Sequence, residues 1–236
     1  MVWQEEEDII QSTDNNEVID LTFDINCKIL PVDHAFYLSQ AIIHVLPWFI
    51  DEPLAGLHLI HGAASGNGWQ RPESQDELMY LSRRTKLILR LPQQRIPEAK
   101  ALTSKTLNVA GYELKIGKAT EKKLTAMPVL FTHYIVADEN QAEEDFIVQC
   151  VNDLAKMEVQ CRKALCGKSR YFKTPDAEIF TRSLMIADIS PADAMTVQQQ
   201  GLGVGRTMGF GLFVPHKDIA PVNVAKQKTK ETTSQA

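Results

Sequence analysis

The chain has 236 residues, of which 44% are hydrophobic and 23% charged, a balance that suits a globular protein with room for one large domain or two of about 100 residues each. No apolar run approaches the ~20 residues that span a bilayer, and no charged-then-apolar signal segment opens the chain, so a cytoplasmic protein without membrane contact is expected. The four cysteines, Cys27, Cys150, Cys161 and Cys166, form no C-x-x-C pair and have no histidine at finger spacing, so neither a zinc site nor a disulfide framework is expected. Cys161 and Cys166 stand in a basic stretch that could activate their thiolates.

The formal charge of −5 conceals an asymmetry. Residues 1–24 hold eight acids and no Lys or Arg, which leaves the remainder net positive by +3. Arg83, Arg84, Lys86, Arg90 and Arg95 follow one another with no acid between them, and Arg162, Lys163, Lys168, Arg170, Lys173 and Arg182 enclose only Asp176 and Glu178. Two such patches on a near-neutral body could neutralise a phosphate backbone, the alternative being two solvated strand faces.

Residues 1–16 are acidic and lack periodic apolar positions, which predicts a flexible arm. Strict alternation then predicts a half-buried strand over residues 18–30. Pro31 stops it, Asp33 is placed to cap a helix, and residues 34–46 carry an amphipathic helix ended by Pro47. A short strand is expected over 56–61, a Gly/Ser/Asn-rich loop over 62–68, and a strand over 81–91 that carries the first basic patch. A short helix over 97–104 and a strand or hairpin over 107–116, turning at Ala110-Gly111, complete this half.

The order strand, helix, strand, strand, helix, strand then repeats. A strand is expected over 129–136, the longest helix over 141–159, strands over 160–173 and 178–187, a helix from Ser190-Pro191 to residue 200, and a closing strand over 210–214. Residues 218–236 form a polar tail. Two βαββαβ units define an α+β protein of tandem ferredoxin-like, RRM-like domains, residues 17–120 and 126–217, each an antiparallel sheet with helices on one face and the other face open.

Before the closing strand stands GLGVGRTMGFGLFV, residues 201–214, with five glycines in eleven residues. Glycine tolerates positive φ and close approach, so the N–H groups of Gly201, Gly203, Gly205 and Gly209 could form an anion-binding concavity, with Arg206 adding charge. The run leads into a strand and no Lys-Ser/Thr follows it, so neither a phosphate loop nor a dinucleotide fingerprint fits. A plain glycine-rich turn is the alternative.

No nucleoside-triphosphate site, metal-ligand cluster or nucleophile elbow is present, and acid–base chemistry falls to the histidines. His34 and His44, at the two ends of the first helix, can share a face but lie about 15 Å apart along its axis, so one bond cannot engage both. His44, beside the following loop, is the better base, and His34 the second choice. These parts suit a ribonuclease reaction in which a base takes the proton of a ribose 2′-OH and that oxygen attacks the adjacent phosphate in line, with a cation stabilising the developing charge. Arg83, Lys86, Lys168, Arg170 and Lys173 are the available cations.

The segments LPVDHAFYLSQAIIHVLP (30–47), GLHLIHG (56–62), LSRRTKLILRLP (81–92), KTLNVAGYELKIG (105–117) and QQQGLGVGRTMGFGLFVP (198–215) resemble, in order, the CRISPR-associated repeat-processing endoribonucleases of the Cas-six family, closest to its Myxan-type branch. The resemblance implies a nuclease that binds the hairpin of CRISPR repeat RNA, cleaves precursor crRNA at the 3′ base of that hairpin without metal or cofactor, and often keeps the product within an interference (Cascade-like) complex of other Cas subunits. It implies a catalytic histidine in or just after the first helix, which matches His44 and, second, His34. It also implies RNA contacts by Arg83, Arg84, Lys86, Lys168, Arg170, Lys173 and the glycine-rich segment with Arg206. Two further readings stay open: a crRNA-binding subunit that cuts slowly or not at all, and a metabolite-binding regulator of the same duplicated fold.

Overall fold

The computed structural model describes residues 18–62 and 77–216; the predicted acidic arm (1–16), the polar tail (218–236) and most of the 62–68 loop lie outside the described residues. Strands β1 (Val18–Asn26), β3 (Gly56–His58), β5 (Lys86–Pro92), β6 (Thr106–Val109) and β7 (Tyr112–Lys123) form one antiparallel sheet in the order β3-β5-β1-β7-β6. Helix α1 (Ala35–Val45) follows β1 and the short α2 (Ile96–Ala99) follows β5. Omitting β6, the strands run in the 2-3-1-4 order of a ferredoxin-like unit.

The second sheet contains β8 (Val129–Val136), β9 (Lys163–Lys173), β10 (Glu178–Ala187) and β11 (Val214–Pro215) in the order β11-β8-β10-β9. With α3 (Glu143–Lys156) and α4 (Pro191–Gln200) between its strands, it repeats the same topology. The protein is therefore an α+β tandem of ferredoxin-like domains.

Alternation explains both cores. Ile19, Leu21 and Phe23 on β1 and Leu87, Leu89 and Leu91 on β5 point to the helix side and pack, each at most 3% exposed, with Leu38 and Ile42 of α1. In the second domain Leu130, Leu184 and Ile186 meet Phe146, Cys150 and Leu154 of α3. Each large aliphatic side chain so buried contributes about 1.5–3 kcal/mol. Ser190 caps α4 as its spacing requires, accepting a hydrogen bond from the Asp193 N–H at 3.1 Å, with Pro191 in the first turn.

Several predicted elements differ. The 18–30 strand breaks: β1 shifts register between Phe23 and Ile25, and the chain then enters β2 (Ile29–Pro31), which pairs with β4 (Leu78–Tyr80) as a separate ribbon. The 81–91 strand begins only at Lys86, because residues 82–85 close a turn in which the Thr85 N–H donates to Ser82 O at 3.1 Å. The 56–61 strand ends at His58, and the short helix after Pro92 closes with a 3-10 turn, Lys100–Leu102. The closing strand shrinks to two residues because Phe210, Leu212 and Phe213 leave the ladder to fill cores. Cys161, whose basic neighbours could activate its thiolate, has its pKa raised by burial, and Cys150 is pushed up to about 12.

The two open faces are not free. Tyr134 and Phe172 of the second sheet pack on Phe210, Leu59 and Ala35 in a third cluster between the domains, with ring centroids 4.8 Å apart for Tyr134–Phe172 and 5.0 Å for Phe172–Phe210. The glycine-rich segment is the wedge in this interface. A Cβ on Gly211 (φ +68°) would stand 2.0 Å from Leu202 O, and one on Gly209 (φ +92°) 2.5 Å from Leu59 Cγ.

Because Gly211 combines positive φ with a backbone clash while Gly203 (φ +76°) has its nearest neighbour at 3.6 Å, the two glycines should respond differently to alanine. Gly203→Ala is expected to cost only the left-handed penalty of about 1–2 kcal/mol, and Gly211→Ala at least about 2 kcal/mol more. Urea unfolding of both variants checks this; equal losses would contradict the wedge.

Candidate active site and nucleic-acid interface

His34 and His44 occupy one helix and have opposite environments. His34 stands at the N-cap position of α1 and is 2% exposed. Its Nδ1 lies 3.0 Å from Pro31 O and 3.2 Å from Val32 O, and its Nε2 accepts the Ile60 N–H at 3.2 Å. The ring therefore donates through Nδ1 and accepts through Nε2, and both nitrogens are engaged by backbone. As a second catalytic choice His34 loses its footing on burial: it fastens the entry to α1 to the segment after β3. Asp33, predicted to cap this helix, instead accepts the Lys173 N–H of β9 at 2.6 Å through Oδ2.

His44 is exposed in the last turn of α1. Helical spacing puts Tyr37, Gln40 and His44 on one face, opposite the buried Leu38 and Ile42. That face borders a groove of ≈ 790 Å³ whose other wall is the β6–β7 hairpin, with Thr106, Asn108 and Gly111. The hairpin turns through Ala110 (φ +51°) and Gly111 (φ +88°), with the Gly111 N–H donating to Asn108 Oδ1 at 2.8 Å. The groove thus joins one accessible imidazole to a phenol, amides and a hydroxyl.

The predicted cations divide into free and engaged groups. Arg83 and Arg84 are exposed in the 82–85 turn, and Lys168 is exposed on β9; none of the three has an ion-pair partner among the described residues. Lys86 is paired with Asp24. Arg170 is half-buried, its Nη1 donating to Ser169 O at 3.3 Å, and Lys173 lies at the end of β9 that meets the start of α1.

Of the four glycine N–H groups expected to face an anion, those of Gly201 and Gly209 are spent within the chain. The N–H groups of Gly201, Leu202, Met208, Gly209, Phe210 and Gly211 all donate to backbone carbonyls, and Gly205 makes room for the Phe210 ring. Arg206 turns inward. Its guanidinium donates to Leu54 O and Gln199 O at 2.9 Å each, to Ala55 O at 3.3 Å and to Gln200 O. It thereby caps the carbonyl end of α4 and binds that end to the turn before β3, so it has no fork to offer a phosphate; burial and the nearby Arg90 charge lower its pKa to about 10.

The sequence did not single out the ion cluster beneath this segment. Arg90, 1% exposed, forms a bidentate pair with Asp20 at 2.8 and 3.1 Å, while its Nη1 donates across the domain interface to Gln198 O at 3.0 Å and Phe213 O at 2.6 Å. His58 Nε2 lies 3.5 Å from Asp20 Oδ1. Burial opposes the Asp20 charge, yet the adjacent His58 ring and the Arg90 guanidinium outweigh it and hold the carboxyl well below the usual range. Burial, then the Arg90 charge, lowers the His58 pKa. His58, His61 and His133 line a ≈ 190 Å³ pocket between the sheets, with the His61 and His133 rings 4.7 Å apart. Only register reveals this: His58 shares the open face of its sheet with Arg90 because β3 and β5 pair Gly56 with Arg90 and His58 with Ile88.

Among the described residues no group of three or more His, Cys, Asp or Glu side chains is placed to hold a metal ion, and no helix is long and apolar enough to cross a membrane.

His58 binds protons less readily folded than unfolded, where its pKa is near 6.5, so its contribution to stability is complete above pH 6.5 and is lost as pH falls below it. Asp20 has the opposite ionisation, and its contribution is lost only as pH falls below its ordinary 3.8. His58→Asn is therefore expected to make the stability–pH curve less steep below pH 6.5, with His133, whose pKa burial lowers to about 4, accounting for slope that remains. Urea midpoints measured across pH check this, and an unchanged slope would exclude His58 as its source.

The comparisons with known proteins agree with this architecture. The family described as Cas6 Crispr matches residues 19–218. A CRISPR-associated endonuclease Cas6 of Myxococcus xanthus (strain DK1622) is 27% identical over 197 residues, covering 84% of this chain and 81% of that protein. Among solved structures, a CRISPR associated protein Cas6 superposes with a TM-score of 0.61 at 14% identity, over 85% of this chain and 100% of the other. A Cas6-related protein from Pyrococcus furiosus gives 0.58 at 12% identity, over 83% and 97%. A tandem of ferredoxin-like domains is the class of fold, and the chain belongs to the Cas6 family.

Proposed function

We propose that this protein is an endoribonuclease that recognises the hairpin of CRISPR repeat RNA and cuts precursor crRNA into guide RNA, with His44 as the general base. The observation that carries the assignment is the contrast on α1: His44 presents a free imidazole to an open groove, whereas both nitrogens of His34 are engaged by backbone. The endonuclease name of the Myxococcus xanthus relative supports the activity.

In this reading His44 removes the proton of a ribose 2′-OH, and the freed oxygen attacks the adjacent phosphorus in line. The bond to the 5′-oxygen of the next nucleotide breaks and that oxygen takes a proton from water, leaving a 2′,3′-cyclic phosphate and a 5′-hydroxyl. The substrate supplies its own nucleophile, so the step needs no metal. Arg83, Arg84 and Lys168 hold the RNA backbone. Lys86, Arg170, Lys173 and the outward Gly203 add secondary contacts, and Arg206, Gly201, Gly205 and Gly209 act by shaping the domain junction. The product stays bound through its 3′ hairpin and joins other Cas subunits in a type I effector complex.

Incubation with the repeat RNA of its own locus in EDTA tests the chemistry. Cutting should require the 2′-OH at the cleavage site and fall about 10²–10⁴-fold in His44→Ala, with RNA affinity kept. Undiminished cutting by that variant would overturn the assignment of the base, and tight binding without cutting by the wild type would favour a crRNA-holding subunit. Removing Arg83 and Arg84 together should weaken binding and reduce its salt slope by about 1.4 on single-stranded RNA.

A further inference from the structure

The β2–β4 ribbon lies outside both ferredoxin-like sheets. Its pairing sets Ile29 opposite Tyr80, Leu30 opposite Met79 and Pro31 opposite Leu78. Alternation then divides its two faces. Leu30 and Met79, 0% and 3% exposed, insert into the first core, while Leu78 and Tyr80 face outward at 40% and 75%. Tyr80 is the most exposed large hydrophobic side chain among the described residues, and it makes no ring contact or hydrogen bond among them.

The residues after Tyr80 are held in place by short-range bonds. The Arg84 N–H donates to Ser82 Oγ at 3.2 Å, and Ser82 Oγ meets Thr85 Oγ1 at 3.2 Å. The turn therefore fixes the backbone that carries Arg83 and Arg84. The Leu81 N–H donates to Lys28 O at 2.9 Å, which brings the exposed Lys28 to the same corner. Lys86, two residues beyond Arg84, is neutralised by Asp24, so the uncompensated charge belongs to the turn.

An anchored aromatic ring left in water beside three cations matches one chemistry well. A nucleobase is a flat π surface attached to a phosphate, and stacking on a protein aromatic with cations on the backbone is how unpaired nucleotides are held. We infer that the Tyr80 face of the β2–β4 ribbon binds an unpaired nucleotide of the RNA, with the base stacked on Tyr80 and its phosphates on Arg83 and Arg84. This inference rests on the RNA-binding reading above. Tyr80 is a positioning residue: it sets which single-stranded flank is held while the hairpin is engaged elsewhere.

Binding of two RNAs distinguishes the possibilities, one a repeat hairpin with its unpaired flanks and one the same hairpin trimmed to blunt ends. Tyr80→Ala should weaken the flanked RNA about tenfold or more, leave the blunt hairpin unchanged, and leave the salt slope unaltered because no charge is removed. Tyr80→Phe, which keeps the π face, should restore wild-type affinity. Equal weakening on both RNAs would assign Tyr80 a structural role and overturn the inference, as would unchanged binding of the flanked RNA. If the wild type bound neither RNA, the RNA-binding reading itself would fail; if it instead bound an acidic peptide through Tyr80 and Arg83, the face would be a protein-docking surface and the inference would be wrong.

Discussion

The buried guanidinium of Arg90 is the interaction on which the arrangement of the two domains depends. A charge taken out of water is tolerated only when opposite charge and hydrogen bonds replace its hydration. Asp20 supplies the charge from the neighbouring strand, and Gln198 O and Phe213 O supply acceptors from the other domain. Removing one partner of such a group typically costs about 3–5 kcal/mol. Arg90 therefore cannot be satisfied by its own sheet alone, and the second domain must sit where its carbonyls reach. The apolar cluster of Tyr134, Phe172 and Phe210 contributes area at the same junction, while the ion pair fixes its register.

That constraint limits which surfaces are open to a large ligand. In an RRM the open sheet face carries the aromatics on which bases stack. Here much of both open faces is directed toward the other domain, with glycines letting the intervening chain pass between them. In the proposed RNA-binding reading, the surfaces left for RNA are those at the perimeter: the helix that bears His44, the 82–85 turn, and the edge strand β9. The free cations stand on the last two of these elements, and the most exposed tyrosine stands on β4, just before the 82–85 turn.

Much of the fold is legible in the sequence because strand alternation is a direct record of burial. Residues 129–136 and 178–187 give β8 and β10 without error, and Ser190-Pro191 fixes the start of α4, since in each case the local signal and the tertiary environment agree. The failures occur where tertiary context overrides pattern. Ile29 continues the alternation of β1, yet a bulge diverts the chain into a second ribbon. The glycines read as room for an anion, but the atoms that approach them belong to Leu202, Leu59 and Phe210, and no local pattern identifies such partners. Arg206 and Arg83 are equivalent as residue types; only the fold shows one clamped by four carbonyls and the other in solvent. The His58–Asp20–Arg90 cluster requires the register of three strands and could not be read from spacing.

The two histidines of α1 show how the same side chain acquires opposite roles on one element. The entry to the helix is held from both domains: by His34 through Ile60, by Asp33 through the Lys173 N–H, and by Ala35 in the interdomain cluster. Its exit is held as well, because Leu46 and Phe49 are buried immediately after it. With both ends of the backbone fixed and one face in the core, what remains adjustable at His44 is its own side-chain torsions. A general base must be brought to a proton within hydrogen-bond reach, and rigid elements achieve this more accurately than loops. In the proposed reaction the engaged ring of His34 thus serves the exposed ring of His44: by fixing the entry to α1 it helps hold the other histidine, ten residues on, beside the groove.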